Sequence, residues 1–287
     1  MNLKNRKVLI TGASSGLGAE IAKILINKYD CQVLGVARNE QKLQQLKQEL
    51  GEKSANFSYH IMDVSLEQNW KELYQKLVTE NQVIEILINN AGVMLPFKAT
   101  DRTDISEFER IMQVNYFSIV YSCKTFMPML MRQQNNPKKD RPVIVNIASL
   151  AALCCLPGVG GYSASKAAIK SYTEALSVEL GKSVFVSLIM PGFVRTNILG
   201  GGIVEPEDEK LINKFAQPVG RTSKKIVRRV RLNRRRMILG PDALAMALFY
   251  RWFPRSSGRV VGKILKLSKR KTVGSMYTNK EDYIEKE

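Results

Sequence analysis

Apolar and polar positions follow two alternating periodicities along most of the chain. Short apolar runs at 7–11, 31–37 and 184–192 indicate buried strands, while 16–29 and 39–51 have apolar residues at the three- and four-residue spacing of helices. Strands that are apolar throughout need cover on both faces, and strands separated by helices are joined by parallel crossovers. The pattern therefore predicts an α/β fold, a single Rossmann-type doubly wound domain with a mainly parallel sheet.

The same alternation continues toward the C-terminus. Further strands are predicted at 57–64, 83–92 and 142–149, further helices at 66–79, 105–132 and after Tyr162, and a last helix and strand within 222–243. Asn39 is a candidate N-cap. The stretch 199–209 has three glycines, a proline and several acids, so it is a candidate lid.

Charge is concentrated in one part of the sequence. The 287 residues carry a net charge of +18, and seventeen lysines or arginines lie between Arg221 and Thr272 against one acid, Asp242. An apolar, aromatic run at 243–253 lies inside this region and is too short to cross a bilayer, which takes about 20 residues. Two interpretations remain open: peripheral contact with a membrane, or a solvated basic surface with its apolar residues packed on the sheet or in a subunit contact.

Cysteine and histidine usage narrows the chemistry. The four cysteines have no extracellular framework pattern, and the N-terminus runs directly into a strand, so we expect a reducing, cytoplasmic location, with membrane association left open. His60 is the only histidine, so neither a zinc site nor a Ser-His-Asp triad is expected, and no metal is predicted.

A glycine-rich loop follows the first strand. In TGASSGLG (11–18), glycines allow the backbone to approach a pyrophosphate, and the helix that follows offers unpaired N–H groups. The second strand ends in Ala37 and Arg38, where an acid would accept a ribose hydroxyl and an arginine suits a 2′-phosphate. We therefore predict NADP(H), although nearby Glu40 leaves an argument for NAD.

Several motifs together resemble one family. TGASSGLG, NNAG (89–92), Asn115, Ser149, YSASK (162–166) and PGFVRT (191–196) occur in the order and approximate spacing of the short-chain dehydrogenase/reductase family. The resemblance implies a catalytic set of Asn115, Ser149, Tyr162 and Lys166. It also implies a cofactor-binding set of Gly12, Ser14, Ser15, Gly16, Leu17, Arg38, Asp63, Val64, Asn89, Ala91, Gly92, Tyr162, Lys166, Pro191, Gly192, Val194 and Thr196. Members commonly associate, so a homodimer or homotetramer is implied.

The spacing of Tyr162 and Lys166 has a physical meaning of its own. Residues four apart share a helix face, so the Lys166 ammonium should lie beneath Tyr162 and lower its pKa from about 10. Ser149 can then hydrogen-bond a substrate oxygen as charge develops there. The resemblance adds that the backbone at Asn115 holds a water that connects the lysine to solvent.

The residues expected around the reacting carbon are apolar. Around the polar pair Ser149 and Tyr162, this site is expected to include Leu150, Cys154, Leu156, Phe193 and Leu199. Such a site suits an apolar alcohol or ketone, such as a steroid, a retinoid or a fatty-chain carbonyl. We assign the catalytic domain to 1–240, with a substrate loop near 193–220 and a basic, partly apolar extension of the same domain at 241–287. The resemblance itself covers about residues 5–200.

Two other functions are compatible with these features. One is a 3-oxoacyl reductase that acts on a carrier-bound thioester, for which the basic surface would steer an acidic carrier. The other is a non-catalytic dinucleotide sensor that binds membrane or nucleic acid. Nucleic acid is not expected, because 221–236 has no aromatic residue among its cations.

Overall fold

A computed structural model describes residues 1–133, 141–196, 198, 203, 205–267 and 271–277. Its described strands form one seven-stranded sheet in the order β3-β2-β1-β4-β5-β6-β7, and every pairing is parallel. The strands are β1 (Lys7–Thr11), β2 (Gln32–Ala37), β3 (Phe57–Ile61), β4 (Ile86–Asn89), β5 (Val143–Ile147), β6 (Phe185–Pro191) and β7 (Arg236–Leu239). The predicted Rossmann-type fold is confirmed.

Helices cover both faces of this sheet. They are α1 (Gly16–Tyr29), α2 (Glu40–Glu49), α3 (Glu67–Thr79), α4 (Ile105–Met112), α5 (Ser118–Met131), α6 (Gly160–Glu179), α7 (Pro206–Phe215), α8 (Val219–Arg231), α9 (Pro241–Trp252), α10 (Ser257–Leu267) and α11 (Lys271–Ser275). The apolar stripes of α1, α2 and α8 form one buried cluster with the sheet, and those of α3, α5 and α6 form another. Asn39 caps α2, as predicted, by accepting a hydrogen bond from the Lys42 N–H.

The strand order reverses direction between β1 and β4. Because the crossovers on either side of this point go to opposite faces, the loops that follow β1 and β4 diverge and leave a crevice at the carboxyl edge of the sheet. The glycine-rich loop at 11–18 follows β1, and the NNAG segment follows β4. The fold therefore brings two of the predicted motifs to one place.

Two predicted helices differ from the observed ones. The single helix expected over 105–132 is divided by a π-helical segment, Gln113–Phe117, which contains Asn115. The sequence predicted a helix only after Tyr162, whereas α6 begins two residues earlier, at Gly160. At Gly161 a side chain would be 2.9 Å from the Phe108 ring, so this glycine allows α6 to pack closely on α4.

The basic C-terminal region is helical. Helix α9 contacts β7, and α10 contacts both α9 and α11. None of the described helices is long and apolar enough to cross a bilayer.

Candidate active site

A cavity of about 790 Å³ lies at the crevice and contains most of the predicted site residues. On the cofactor side its walls include Gly12, Ser14, Ser15, Gly16, Leu17, Arg38, Asp63, Val64, Ala91, Gly92, Pro191, Gly192, Val194 and Thr196. On the other side they include Ser149, Leu150, Cys154, Leu156, Tyr162, Lys166 and Phe193. Leu199, also expected here, lies outside the described residues, as do all three glycines of the candidate lid.

The glycine loop fits a pyrophosphate. Gly12 has φ +66°, and a side chain there would be 2.9 Å from the Asn90 amide nitrogen. A side chain on Gly18 would collide with the Gly12 carbonyl oxygen, so the first turn of α1 packs directly against the loop. No capping side chain accepts from the first N–H groups of α1, and its first turn has no acid. These N–H groups and the helix dipole suit an anion.

One predicted cofactor residue does not reach the cavity. The Asn89 side chain is buried behind it, where its amide donates to Asn146 at 2.8 Å and its carbonyl accepts from Ser122 at 2.7 Å. The Asn89 side chain therefore joins β4 to its neighbours, and the prediction that this residue binds cofactor stays a prediction. The next residue, Asn90, lines the cavity, and its backbone N–H donates to the Thr11 hydroxyl while its amide donates to the Thr11 carbonyl.

Arg38 lies at the end of β2, on the rim of the cavity. Its guanidinium is 3.8 Å from the Asp63 carboxylate and is largely exposed. Burial acts to raise the pKa of Asp63, but hydrogen bonds from Ser65 and the Arg38 charge outweigh it and hold that pKa below its usual value. Asp63 is therefore an anion beside Arg38, and the guanidinium remains open on its solvent side.

Tyr162 and Lys166 lie one turn apart on α6, as predicted. The Lys166 amine is 5.6 Å from the centre of the Tyr162 ring and donates to the Ile147 carbonyl at 3.3 Å. The side chain is buried, and burial lowers the pKa of Lys166 to about 8. The pKa of Lys166 is therefore close to neutral pH, where the amine can gain or lose its proton.

The expected effect of Lys166 on the Tyr162 pKa is not observed in this structure. Burial raises the pKa of Tyr162, and the opposing effect comes from a hydrogen bond with Ser149. With a pKa of about 8, the Lys166 amine has already lost its proton at the pH where Tyr162 ionises, so it has no charge to offer the phenolate. Ser149 is therefore both a neighbour of the reacting oxygen and the group that favours the phenolate.

Asn115 does not line the cavity but lies directly behind it. Its side-chain oxygen accepts from the Val93 N–H at 2.8 Å, and its amide donates to Val93 and to Ser165. A side chain on Gly92 would be 3.2 Å from Asn115 and 3.3 Å from the Lys166 amine. The absence of a side chain at Gly92 thus leaves room for both residues next to it, and the water-holding role of the Asn115 backbone stays a prediction.

The C-terminal region contributes walls that the sequence did not indicate. Val261, Ile264, Leu265, Val273 and Met276 line the substrate side of the cavity, with Met94, Phe97 and Val159 from the core domain. The helical spacing of Val261, Ile264 and Leu265 could have predicted an apolar helix face, but the cations around them favoured an exposed surface. Helix α11 is held in place by backbone and side-chain bonds, in which Ala99 N–H donates to the Ser275 carbonyl at 2.8 Å and the Ser275 hydroxyl donates to the Phe97 carbonyl at 2.7 Å.

Comparison with known proteins agrees with this geometry. The sequence profile described as short chain dehydrogenase matches residues 6–202, so the chain belongs to the short-chain dehydrogenase/reductase family, as the motifs predicted. This is an oxidoreductase family that acts on alcohol and carbonyl groups.

Individual relatives are moderately similar. The chain is 31% identical over 221 residues to 11-beta-hydroxysteroid dehydrogenase 1A of Arabidopsis thaliana, covering 76% of this chain and 60% of that protein's length. It is 29% identical over 249 residues to the benzil reductase ((S)-benzoin forming) IRC24 of Saccharomyces cerevisiae, covering 84% and 88%. A short-chain dehydrogenase/reductase from Burkholderia phymatum, solved in complex with NAD, has a similar fold, with a TM-score of 0.78 at 21% identity over 88% of this chain and 95% of that one.

Proposed function

We propose that the protein is an NADP(H)-dependent oxidoreductase that interconverts a carbonyl and a secondary alcohol on an apolar substrate. The observation that carries the proposal is the placement of Ser149, Tyr162 and Lys166 in the same cavity as the glycine loop. A dinucleotide held by that loop would supply or accept hydride on the carbon whose oxygen these residues contact.

The three side chains have complementary tasks at the substrate oxygen. The Ser149 hydroxyl hydrogen-bonds this oxygen and the Tyr162 hydroxyl, which it already partners. In reduction Tyr162 donates its proton to the oxygen, and in oxidation it accepts one. Lys166, with a pKa near 8, can return a proton toward Tyr162 or release one toward Asn115.

The choice of NADP(H) rests on the end of β2. Arg38 offers an exposed guanidinium there, and the strand ends without the carboxylate that would bind a ribose hydroxyl pair. The exposed side of the guanidinium can bind a 2′-phosphate while Asp63 binds its other side.

The choice of an apolar substrate rests on the cavity walls. Leu150, Cys154 and Leu156 face the same space as Phe193, and the C-terminal helices add further aliphatic side chains. A steroid, a retinoid or a fatty-chain carbonyl matches such walls, and the names of the plant relatives favour the first of these. We further propose that the protein forms homodimers or homotetramers. A reducing compartment is also proposed, because all four cysteines are free thiols.

A screen of substrates tests this function directly. NADPH oxidation should be followed with steroid, retinoid and long-chain ketones, and with a carrier-bound 3-oxoacyl thioester as a separate arm. We expect turnover with at least one free apolar ketone. Turnover with the carrier-bound thioester alone would replace the proposal with the 3-oxoacyl reductase, and no turnover with any class would favour the sensor.

A further inference from the structure

Helices α9 and α10, which contact each other, both expose large apolar side chains. On α9, Leu244, Leu248 and Trp252 follow one another at four-residue intervals, and Trp252 is 74% exposed. Phe253 follows at the junction, and Ile264 and Leu267 continue the series on α10, at 62% and 79% exposure. Soluble surfaces seldom expose so many large apolar groups together, so a patch of this kind marks an interaction site. We call these six residues the apolar face.

Cations accompany this face along the same two helices. Arg251, Arg255, Arg259, Lys263 and Lys266 are exposed, and among the residues that the structure describes none of them forms an ion pair. The one acid in these helices, Asp242, is bound to the Phe193 backbone N–H at 2.7 Å. The outward charge of α9 and α10 is therefore positive.

The apolar face reaches the mouth of the cavity. Ile264 is exposed and also lines the cavity, as do Phe193 and Phe215, so an apolar rim joins the outer surface to the interior. The acids in the first turn of α7 lie about 9–12 Å along that helix from Phe215, at a rise of about 1.5 Å per residue. One of them, Asp208, is buried in the cavity wall, where it accepts a hydrogen bond from the Thr272 N–H. The charged residues of α10 itself are all cations.

We propose that α9 and α10 dock the protein on an anionic lipid bilayer, with the cavity mouth turned toward the lipid. Tryptophan and aliphatic side chains favour the interface between headgroups and acyl chains, and flanking lysines and arginines bind anionic headgroups while their stems cross the apolar boundary. The helices are too short to span, so the contact is peripheral. Apolar molecules dissolved in the bilayer can then enter the cavity without crossing water.

Charge complementarity selects lipid over a second copy of the chain. Two copies that met through this face would bring five cations of each into one interface with no described acid to pair them, and like charges oppose such contact. An anionic bilayer satisfies the same cations.

Vesicle flotation tests the docking. The full chain should float with vesicles of phosphatidylcholine and phosphatidylserine and should not float with phosphatidylcholine alone. The triple variant Arg255→Glu, Arg259→Glu, Lys263→Glu should lower the partition coefficient by at least about 100-fold, since each lost cation forfeits roughly a fivefold gain and each new carboxylate is repelled by the anionic surface. A matched control, Arg221→Glu, Lys224→Glu, Lys225→Glu on α8, makes the same change in net charge at exposed positions away from this face and should still float.

Tryptophan fluorescence gives a second readout that needs no folded variant. The chain has two tryptophans, and Trp70 is buried in the core, so a blue shift on adding anionic vesicles reports entry of Trp252 into the interface. The shift should disappear in Trp252→Phe. Neither readout depends on turnover, so this proposal and the proposed reaction can fail separately.

Three results would overturn the docking proposal. They are an unchanged emission spectrum with anionic vesicles, equal loss of flotation in the α8 control, and a dimer that Trp252→Ser converts to a monomer. The last would mean that a second copy covers the apolar face.

Discussion

Replacing Lys166 by methionine should stabilise the protein at neutral pH although it removes a group that the proposed reaction needs. Burial lowers the pKa of Lys166 from its ordinary 10.5 to about 8. At about 1.4 kcal/mol per pKa unit, the buried ammonium lowers the free energy of unfolding at pH 7 by ~3 kcal/mol. Methionine fills a similar volume without charge but leaves the Ile147 carbonyl without its donor, a loss of about 1 kcal/mol. The net expectation is a gain of ~2 kcal/mol in the free energy of unfolding.

The pH dependence separates this explanation from better packing. The folded pKa is depressed, so between pH 8 and 10.5 the unfolded chain binds one more proton than the folded chain, and the stability of the original protein rises with pH. Below pH 8 both states are protonated and the full penalty applies. The advantage of Lys166→Met should therefore be greatest near pH 7 and should shrink by ~2 kcal/mol at pH 9.5.

Urea denaturation at these two pH values measures the effect. Lys124→Met, at an exposed position on α5, is the matched control and should follow the original protein at both. If Lys166→Met were less stable at pH 7, or if its advantage did not change with pH, the buried ammonium would not carry the penalty that the structure assigns to it.

Three further changes test separate parts of the site. Arg38→Asp should weaken NADPH binding at least tenfold and leave NADH binding nearly unchanged, as measured by fluorescence titration; equal losses would refute the 2′-phosphate assignment. Gly18→Val should abolish dinucleotide binding and lower the melting temperature, whereas Gly258→Ala, where a side chain meets nothing within 4 Å, should do neither; a binding-competent Gly18→Val would show that the loop can move aside. Ser149→Ala should lower kcat about 100-fold and, because the Ser149 hydrogen bond lowers the Tyr162 pKa, move the pH profile of alcohol oxidation to higher pH; an unmoved profile would dissociate Ser149 from that pKa.

The sequence predicted the sheet and the motif loops well, because their signals are local. Buried parallel strands are unbroken apolar runs, and the glycine loop follows the first of them. Asn89 and Asn90 show the limit of such reasoning. Both lie in one motif at the end of β4, and only the packing of Ser122 and Asn146 around Asn89 determines which of the two faces the cavity.

Local sequence patterns could not predict the C-terminal walls of the cavity, for a different reason. Val261, Leu265 and Met276 reach the site only because α11 is tied to residues 97–102 by long-range hydrogen bonds. The Tyr162 pKa also depends on burial, which the i, i+4 spacing does not reveal: burial raises the pKa of Tyr162 and lowers that of Lys166 to about 8. Both features depend on tertiary contacts.

The central claim is that the Tyr162 hydroxyl exchanges the proton that accompanies hydride transfer. Tyr162→Phe removes this one oxygen and keeps the ring that packs beside Lys166. With an apolar ketone that the protein reduces, the variant should bind NADPH within about twofold of the original affinity and lose at least about 100-fold in kcat, the range expected for a general acid. A Tyr162→Phe protein that binds NADPH and turns over at a comparable rate would contradict the account.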